Sequence, residues 1–421
     1  MILTAYRLAS RVLTPAAPLF LRSRLRNGKE DRNRLGERFG RASLDRPEGP
    51  LVWLHAASVG EAQSVLLLIR ELRQRRPGTH VLITSGTVTS AGMLAERLPA
   101  GVLHQFAPLD LPTAVERFLA HWKPDLSLMI ESEIWPNMIR AAGLAGRPLV
   151  LINARMSDRS YRRWRRVRAS ARQLLSNFAL ILAQNDAAAN RFAALGGENV
   201  RMEGNLKYAA DALPADPVAL AALKELTTDR PCWISASIHP GEDRITGEVH
   251  RALRQRFPDL LTIMAPRHPD RAERMALLLR ADGTSTVRRS ETASPAAGCE
   301  FYIADTIGEM GTLYSLEAPV FVGGSLVPHG GQNVLEPARF GRCILTGPHT
   351  QNFADVIADM RREDAMIEVE NAEELTASLA RLLQHKREAD ILGARARLVA
   401  GRQAAVLERV LARLEPLLPA S

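Results

Sequence analysis

Strand-length apolar runs that alternate with helical patterns, twice over, predict an α/β protein of two Rossmann-like domains facing a cleft. Three observations carry that expectation. The chain has 421 residues, more than one hydrophobic core usually serves, so two domains are expected. Apolar residues make up 46% and charged residues 24%, the balance of a globular protein, without internal repeats or low-complexity tracts. Apolar runs at 51–56, 81–84, 126–130, 149–152 and 180–183 are separated by helical periodicity, and the same rhythm returns at 232–236, 261–265, 301–304, 320–322 and 344–345. Continuous apolar strands alternating with helices belong to parallel sheets covered on both faces. Ligands on such sheets bind beyond the carboxyl ends of the strands, so functional residues are expected just after strands.

Taken in order, the segment 1–26 opens with a stretch, Met1 to Leu21, that is apolar at Ile2, Leu3, Tyr6, Leu8, Val12, Leu13, Leu19, Phe20 and Leu21 but is interrupted by Arg7, Arg11, Pro15 and Pro18. That pattern is a poor spanning helix, and it runs straight into Arg22, Arg24 and Arg26 with no cleavage site. It reads as an interfacial anchor with arginines on anionic headgroups, or alternatively as a helix docked on the protein's own body. Residues 27–210 are expected to form the first Rossmann-like domain. Asp211 to Pro217, rich in Ala, Asp and Pro, suits a linker. The second domain is placed at 218–388, and 389–421 is an amphipathic helical segment that crosses back to the first domain in this reading.

The net charge of +9 and a pI near 10.0 imply an anionic partner. Much of the excess lies in the amino-terminal arginines and in the series from Arg155 to Arg172. Tyr161 and Trp164 in that series are a weak nucleic-acid signal without a binding motif, and no nucleic acid is expected. Cys232, Cys299 and Cys343 are odd in number and far apart, which suits free thiols. No Gly-x-Gly-x-x-Gly follows the first strand, and Walker, Asp-x-Asp and His-Glu-x-x-His sequences are absent. No metal site or cofactor is expected, and dinucleotide redox chemistry loses weight.

Candidate chemistry sits after the strands. Ala56-Ala57-Ser58-Val59-Gly60-Glu61 places Glu61 at a strand-to-helix turn, where it is either a base or a first-turn residue favouring the helix dipole. The dipole would lower its pKa. Glu131 and Glu133 follow the run at 126–130 and share a face if that strand continues. Lys207 closes Gly204-Asn205-Leu206-Lys207. In the second half, His239 and Arg267-His268 follow strands; the histidines suit turns, and Arg267 suits a phosphate because its planar fork matches two oxygens. Asp305 to Met310 and the glycines Gly323, Gly324, Gly330 and Gly331 complete the set. A helix beginning near Asn333 would offer free amides to phosphate, and Glu336 could accept from ribose hydroxyls.

Those segments in this order resemble the transferases that add 3-deoxy-octulosonic acid (Kdo) to the lipid A precursor. The likeness runs from Arg34-Leu35-Gly36-Glu37-Arg38-Phe39-Gly40 through Ser58-Val59-Gly60-Glu61, Glu131-Ser132-Glu133-Ile134-Trp135-Pro136 and Gly204-Asn205-Leu206-Lys207 to Pro266-Arg267-His268 and Asn333-Val334-Leu335-Glu336-Pro337. It implies a GT-B glycosyltransferase with a CMP-Kdo donor, metal-independent inverting transfer and a lipid IVA acceptor, in lipopolysaccharide biosynthesis. It also implies a peripheral or monotopic place on the cytoplasmic side of the inner membrane, with anionic lipid as a partner. Carried over by position, Glu61 is the base, and Glu131 and Lys207 stabilise the transition state. Pro266, Arg267, Ile307, Gly308, Glu309, Asn333, Val334, Leu335 and Glu336 hold CMP. Gln332 stands where such proteins commonly have His, and Val334 where Pro is common.

Overall fold

The computed structural model describes residues 2–209, 213–292 and 298–419, in two compact units. The first comprises residues 1–210 with 403–421, the second residues 211–402. Asp211 and Ala212 of the expected linker, like Met1, lie outside the described residues. The remainder of that linker enters the second unit: Asp216 caps the helix Pro217–Thr227 with its carboxylate, and its own N–H donates to Thr312 Oγ1 at 2.9 Å.

In the first unit β1 (Leu51–Ala56), β2 (His80–Ser85), β3 (Leu103–Phe106), β4 (Leu126–Ile130), β5 (Leu149–Ala154), β6 (Leu180–Ala183) and β7 (Val200–Met202) form one sheet. Its order is β3-β2-β1-β4-β5-β6-β7, parallel throughout. β1, β4 and β5 are buried along their whole length, as parallel strands covered on both faces must be. The helix Val406–Leu414 packs Val406, Val410, Leu411 and Leu414 into the same cluster as Val52, Leu54, Ile69 and Leu128. Each such side chain contributes about 1.5–3 kcal/mol by leaving water, so the last helix is part of this core.

The second unit repeats the plan with β8 (Cys232–Ile238), β9 (Leu261–Pro266), β10 (Thr286–Arg288), β11 (Phe301–Ile303), β12 (Val320–Val322), β13 (Ile344–Thr346) and β14 (Ile367–Glu368). Its order is β10-β11-β9-β8-β12-β13-β14. The ten runs foreseen from the sequence are the ten strands inside these sheets. The four unforeseen strands, β3, β7, β10 and β14, are the four edges.

Two sequence features acquire structural roles. Glu37 accepts both Nε and Nη2 of Arg34 at 2.9 and 3.0 Å and the Phe106 N–H at 2.6 Å. Arg38, 4% exposed, donates to Gly86 O at 2.7 Å and Ala107 O at 3.1 Å. The Arg34–Gly40 segment is therefore a brace under the loops that leave β2 and β3. Gly40 closes it with φ 74, and a Cβ there would meet Ala114 O at 1.9 Å, so only glycine fits.

The amino-terminal helix Ile2–Leu13 docks on the body of its unit by one face and leaves the other open. Tyr6 Oη donates to Asp110 at 3.0 Å, and Asn137 Nδ2 donates to Ser10 Oγ at 3.0 Å. Opposite them Leu8, Val12 and Leu13 are 61–71% exposed, and Leu19 and Phe20 of the helix Ala17–Arg26 are exposed too. Among the described residues, no helix is long and apolar enough to cross a membrane.

Candidate active site

In the first unit the candidate residues gather at the carboxyl edge of the sheet. β1 ends at Ala56, and Ser58 caps the helix Val59–Ser64. Glu61 Oε2 accepts the Ala57 N–H at 2.7 Å and Oε1 the Ser58 hydroxyl at 2.9 Å, fixing the carboxylate at the turn. Burial, and then the charge of Glu133, push Glu61 above the usual carboxylate range. That reverses the expectation from the helix dipole, because desolvation of the charged form outweighs the dipole and the two hydrogen bonds.

β4 does not continue past Ile130, so strand alternation does not govern Glu131 and Glu133. Glu131 turns the chain with φ 57, its N–H donating to Ile152 O and its carbonyl accepting from Arg155 N. A left-handed glutamate is uncommon and costs of order 1–3 kcal/mol, a cost tolerated where geometry matters. Burial first, then Glu61, raise the Glu131 pKa, while Arg155 and Lys207 oppose them. Glu133 goes the other way. Burial pushes it up, but the His55 imidazole, 3.4 Å from its Oε2, and the Trp135 indole N–H more than offset that.

Lys207 lies on the exposed surface of the short turn Leu206–Tyr208, which Asn205 caps. Its charge reaches Glu131. Neighbouring Asn153, with φ 52, accepts the Leu206 N–H at 3.1 Å. The structure thus brings Glu61, Glu131 and Lys207 together, with Glu133, His55 and Arg155 around them. His55 is the residue sequence reading passed over. Its signal was a lone polar residue in an otherwise apolar strand.

In the second unit Pro266 ends β9, and Arg267, exposed, holds the register by donating its N–H to Ile238 O. Arg267 is close enough to act on Glu336, whose carboxyl is nonetheless held above its usual range chiefly by burial. Asn333 donates to Glu336 Oε1 at 3.2 Å. The expected helix near Asn333 is only Leu335–Arg339, and Asn333 Oδ1 already accepts the Leu335 N–H. That amide is not open to a phosphate. Val334 and Leu335 are buried, backbone included. Ile307 and Gly308 form an exposed turn beyond β11, Gly308 with φ 94, and Glu309 accepts Arg289 Nε at 2.6 Å.

Glu242, buried at the start of the helix Glu242–Arg254, accepts four backbone N–H groups, from His239, Gly324, Ser325 and Leu326. It ties the loop after β8 to the glycine loop after β12. A Cβ on Gly323 would meet Ile238 Cα at 2.7 Å, so this joint also requires glycine. Gln332 Nε2 lies 2.8 Å from His239 Nε2. Among the described residues, no group of three His, Cys, Asp or Glu side chains is placed to hold a metal ion.

The profile of a family described as 3-Deoxy-D-manno-octulosonic-acid transferase (kdotransferase) matches residues 33–210. A 3-deoxy-D-manno-octulosonic acid transferase of Haemophilus influenzae is 36% identical over 397 residues, 92% of each chain. A probable mitochondrial counterpart from Arabidopsis thaliana is also 36% identical, over 86% of this chain and 83% of its own. In fold, a glycosyltransferase from Rickettsia africae matches with a TM-score of 0.55 at 12% identity, over 89% of this chain and all of its own. MurG from Acinetobacter baumannii matches with a TM-score of 0.52 at 15% identity, over 87% of this chain and all of its own.

Proposed function

Because this chain belongs to the 3-deoxy-D-manno-octulosonic acid (Kdo) transferase family, and so is a glycosyltransferase of the GT-B fold serving lipopolysaccharide synthesis, we propose that it transfers Kdo from CMP-Kdo to lipid IVA. The transfer inverts the anomeric centre and needs no metal in this reading. One observation supports it most: a buried Glu61, held by two hydrogen bonds and pushed above the ordinary carboxylate range, beside Glu131 at the carboxyl edge of the first sheet.

A base works best when its pKa approaches the working pH, and burial moves Glu61 that way. It takes the proton of the attacking acceptor hydroxyl. The reacting sugar carbon passes through an oxocarbenium-like state whose positive charge a carboxylate offsets. Glu131 supplies that charge, and Lys207 balances the local excess of acid. The departing CMP takes the bond's electrons as a phosphate monoester. Arg267 binds it with a planar fork, which supplies the charge a cation otherwise would, while Glu336 receives ribose hydroxyls. Ile307, Gly308 and Glu309 bound the nucleotide, and Val334 and Leu335 pack beneath the segment that holds it.

The open apolar row Leu8, Val12, Leu13, Leu19 and Phe20, together with the exposed arginines of the helix Asp158–Arg166, supports a peripheral place on an anionic membrane surface, which in this reading is the cytoplasmic face of the inner membrane. Calorimetry with nucleotides tests the donor. CMP binds and UDP does not, and Arg267→Ala weakens CMP by about 1.5–3 kcal/mol, roughly ten- to 150-fold. UDP binding in place of CMP would favour a different nucleotide-sugar transferase, and an unaffected Arg267→Ala would move the nucleotide elsewhere.

A further inference from the structure

The loop after β8 carries a histidine whose free surroundings are cationic or neutral. His239 is 4% exposed and follows Ser237, whose φ of 54 re-aims the chain as it leaves the strand. Its ring lies 3.7 Å between centroids from His329 and 6.2 Å from His268, edge-on. Gln332 Nε2 sits 2.8 Å from its Nε2, so the amide donates and the ring accepts, which is the neutral imidazole. From the turn after β9, Arg267 and Arg271 act on it as positive charge. Carboxylates nearby are engaged: Glu242 by four backbone N–H groups, Asp243 by Arg271 at 2.6 Å, and Glu336, on the far side of Arg267, by Asn333 at 3.2 Å. Burial first, and then the like charges of His329, His268, Arg267 and Arg271, lower His239 to about 4.

We propose that His239, stacked on His329 and flanked by His268, Arg267 and Arg271, is a proton-coupled anion site that charges when a nucleotide phosphate arrives. The proposal rests on the reading that this unit holds the donor nucleotide. An anion would complement the positive groups that surround the ring. A phosphate brought within about 4–6 Å reverses the sign of the local field and favours the charged ring. The proton comes from solvent, and Gln332 turns its amide oxygen toward the new N–H. Two rings 3.7 Å apart strongly disfavour a shared double charge, so about one proton is the limit. A charge acquired with the phosphate is given up when the phosphate leaves, so CMP is held without being trapped. Gln332 suits this better than a carboxylate, because it can both donate and accept.

The test is CMP binding to the full chain by calorimetry near pH 6, in two buffers of different ionisation enthalpy, which counts protons taken up per CMP. Wild type should take up close to one proton more than His239→Asn, whose affinity should fall about tenfold as pH is lowered from about 7.5 to about 6 relative to wild type. The count is repeated with the methyl ester of CMP, whose phosphodiester does not titrate near pH 6, so that no proton of the ligand enters the difference. Gln332→Glu, isosteric, sets a carboxylate against the ring and charges it beforehand, so its uptake should fall while the fold is kept. Equal uptake in wild type, His239→Asn and Gln332→Glu, with CMP still bound, overturns the proposal and leaves the nucleotide reading standing. No CMP binding by wild type overturns both.

Discussion

Replacing Glu61 by Gln separates a catalytic role from a capping one, because the geometry gives the two roles different magnitudes. The carboxylate accepts two hydrogen bonds, from the Ala57 N–H and the Ser58 hydroxyl. Glu61→Gln keeps an oxygen for Ala57 and turns an amide donor toward the Ser58 oxygen. It also removes a buried charge that Glu133 repels, so stability should change by about 1 kcal/mol or less. Glu61→Ala loses both bonds and should cost about 2–4 kcal/mol, a melting temperature lower by roughly 2–4 °C per kcal/mol. Turnover follows a different scale. A side chain that cannot take the acceptor proton forfeits about 10²–10⁴ in rate, or roughly 2.7–5.5 kcal/mol of barrier. The assay pairs a thermal melt with the initial rate on lipid acceptor at saturating CMP-Kdo. A Gln variant that melts like wild type and turns over within about threefold of it would refute the assignment and leave Glu131 as the next carboxylate to replace.

Two further predictions follow from the same geometry. The charge of Glu133 helps hold Glu61 above its usual range; with Glu61 as the proposed base, lost as pH falls through its pKa, Glu133→Gln should shift the acid limb of kcat/KM to lower pH. An unmoved limb would remove that coupling. Changing Leu8, Val12, Leu13, Leu19 and Phe20 to Ser leaves the docked side, Tyr6, Ser10 and Leu21, untouched. Flotation with anionic liposomes should then be largely lost, and wild-type binding should weaken with salt; a variant that floats like wild type would refute membrane binding by this row.

What the sequence made legible was burial. Each interior strand, such as β5 (LVLINA) and β12 (VFV), is an apolar run bounded by loop residues. The edge strands β3 (LHQF), β7 (VRM), β10 (TVR) and β14 (IE) are short and part-exposed, so pairing with one neighbour specifies them without an apolar pattern. The segments that bear Glu61, Glu131 and Arg267 are visible because they follow interior strands, as ligand-facing loops of an open parallel sheet should, whereas Lys207 follows the edge strand β7. The left-handed turn at Glu131, the engagement of Glu242 by four amides and the stacking of His329 on His239 depend on contacts between segments distant in sequence. No local pattern encodes them. The upward shift of Glu61 was misjudged for the same reason, since desolvation comes from the whole fold and the helix dipole from one turn.

Kdo transfer to the lipid A precursor is tested most directly by mass spectrometry of the lipid recovered after purified protein is incubated with CMP-Kdo and lipid IVA. The account predicts an acceptor heavier by one or more Kdo residues, with CMP released in equal number and no product from the Glu61→Gln variant beyond about one hundredth of the wild-type rate. Unmodified lipid IVA alongside intact CMP-Kdo, from a folded protein supplied with membrane or detergent, would contradict it.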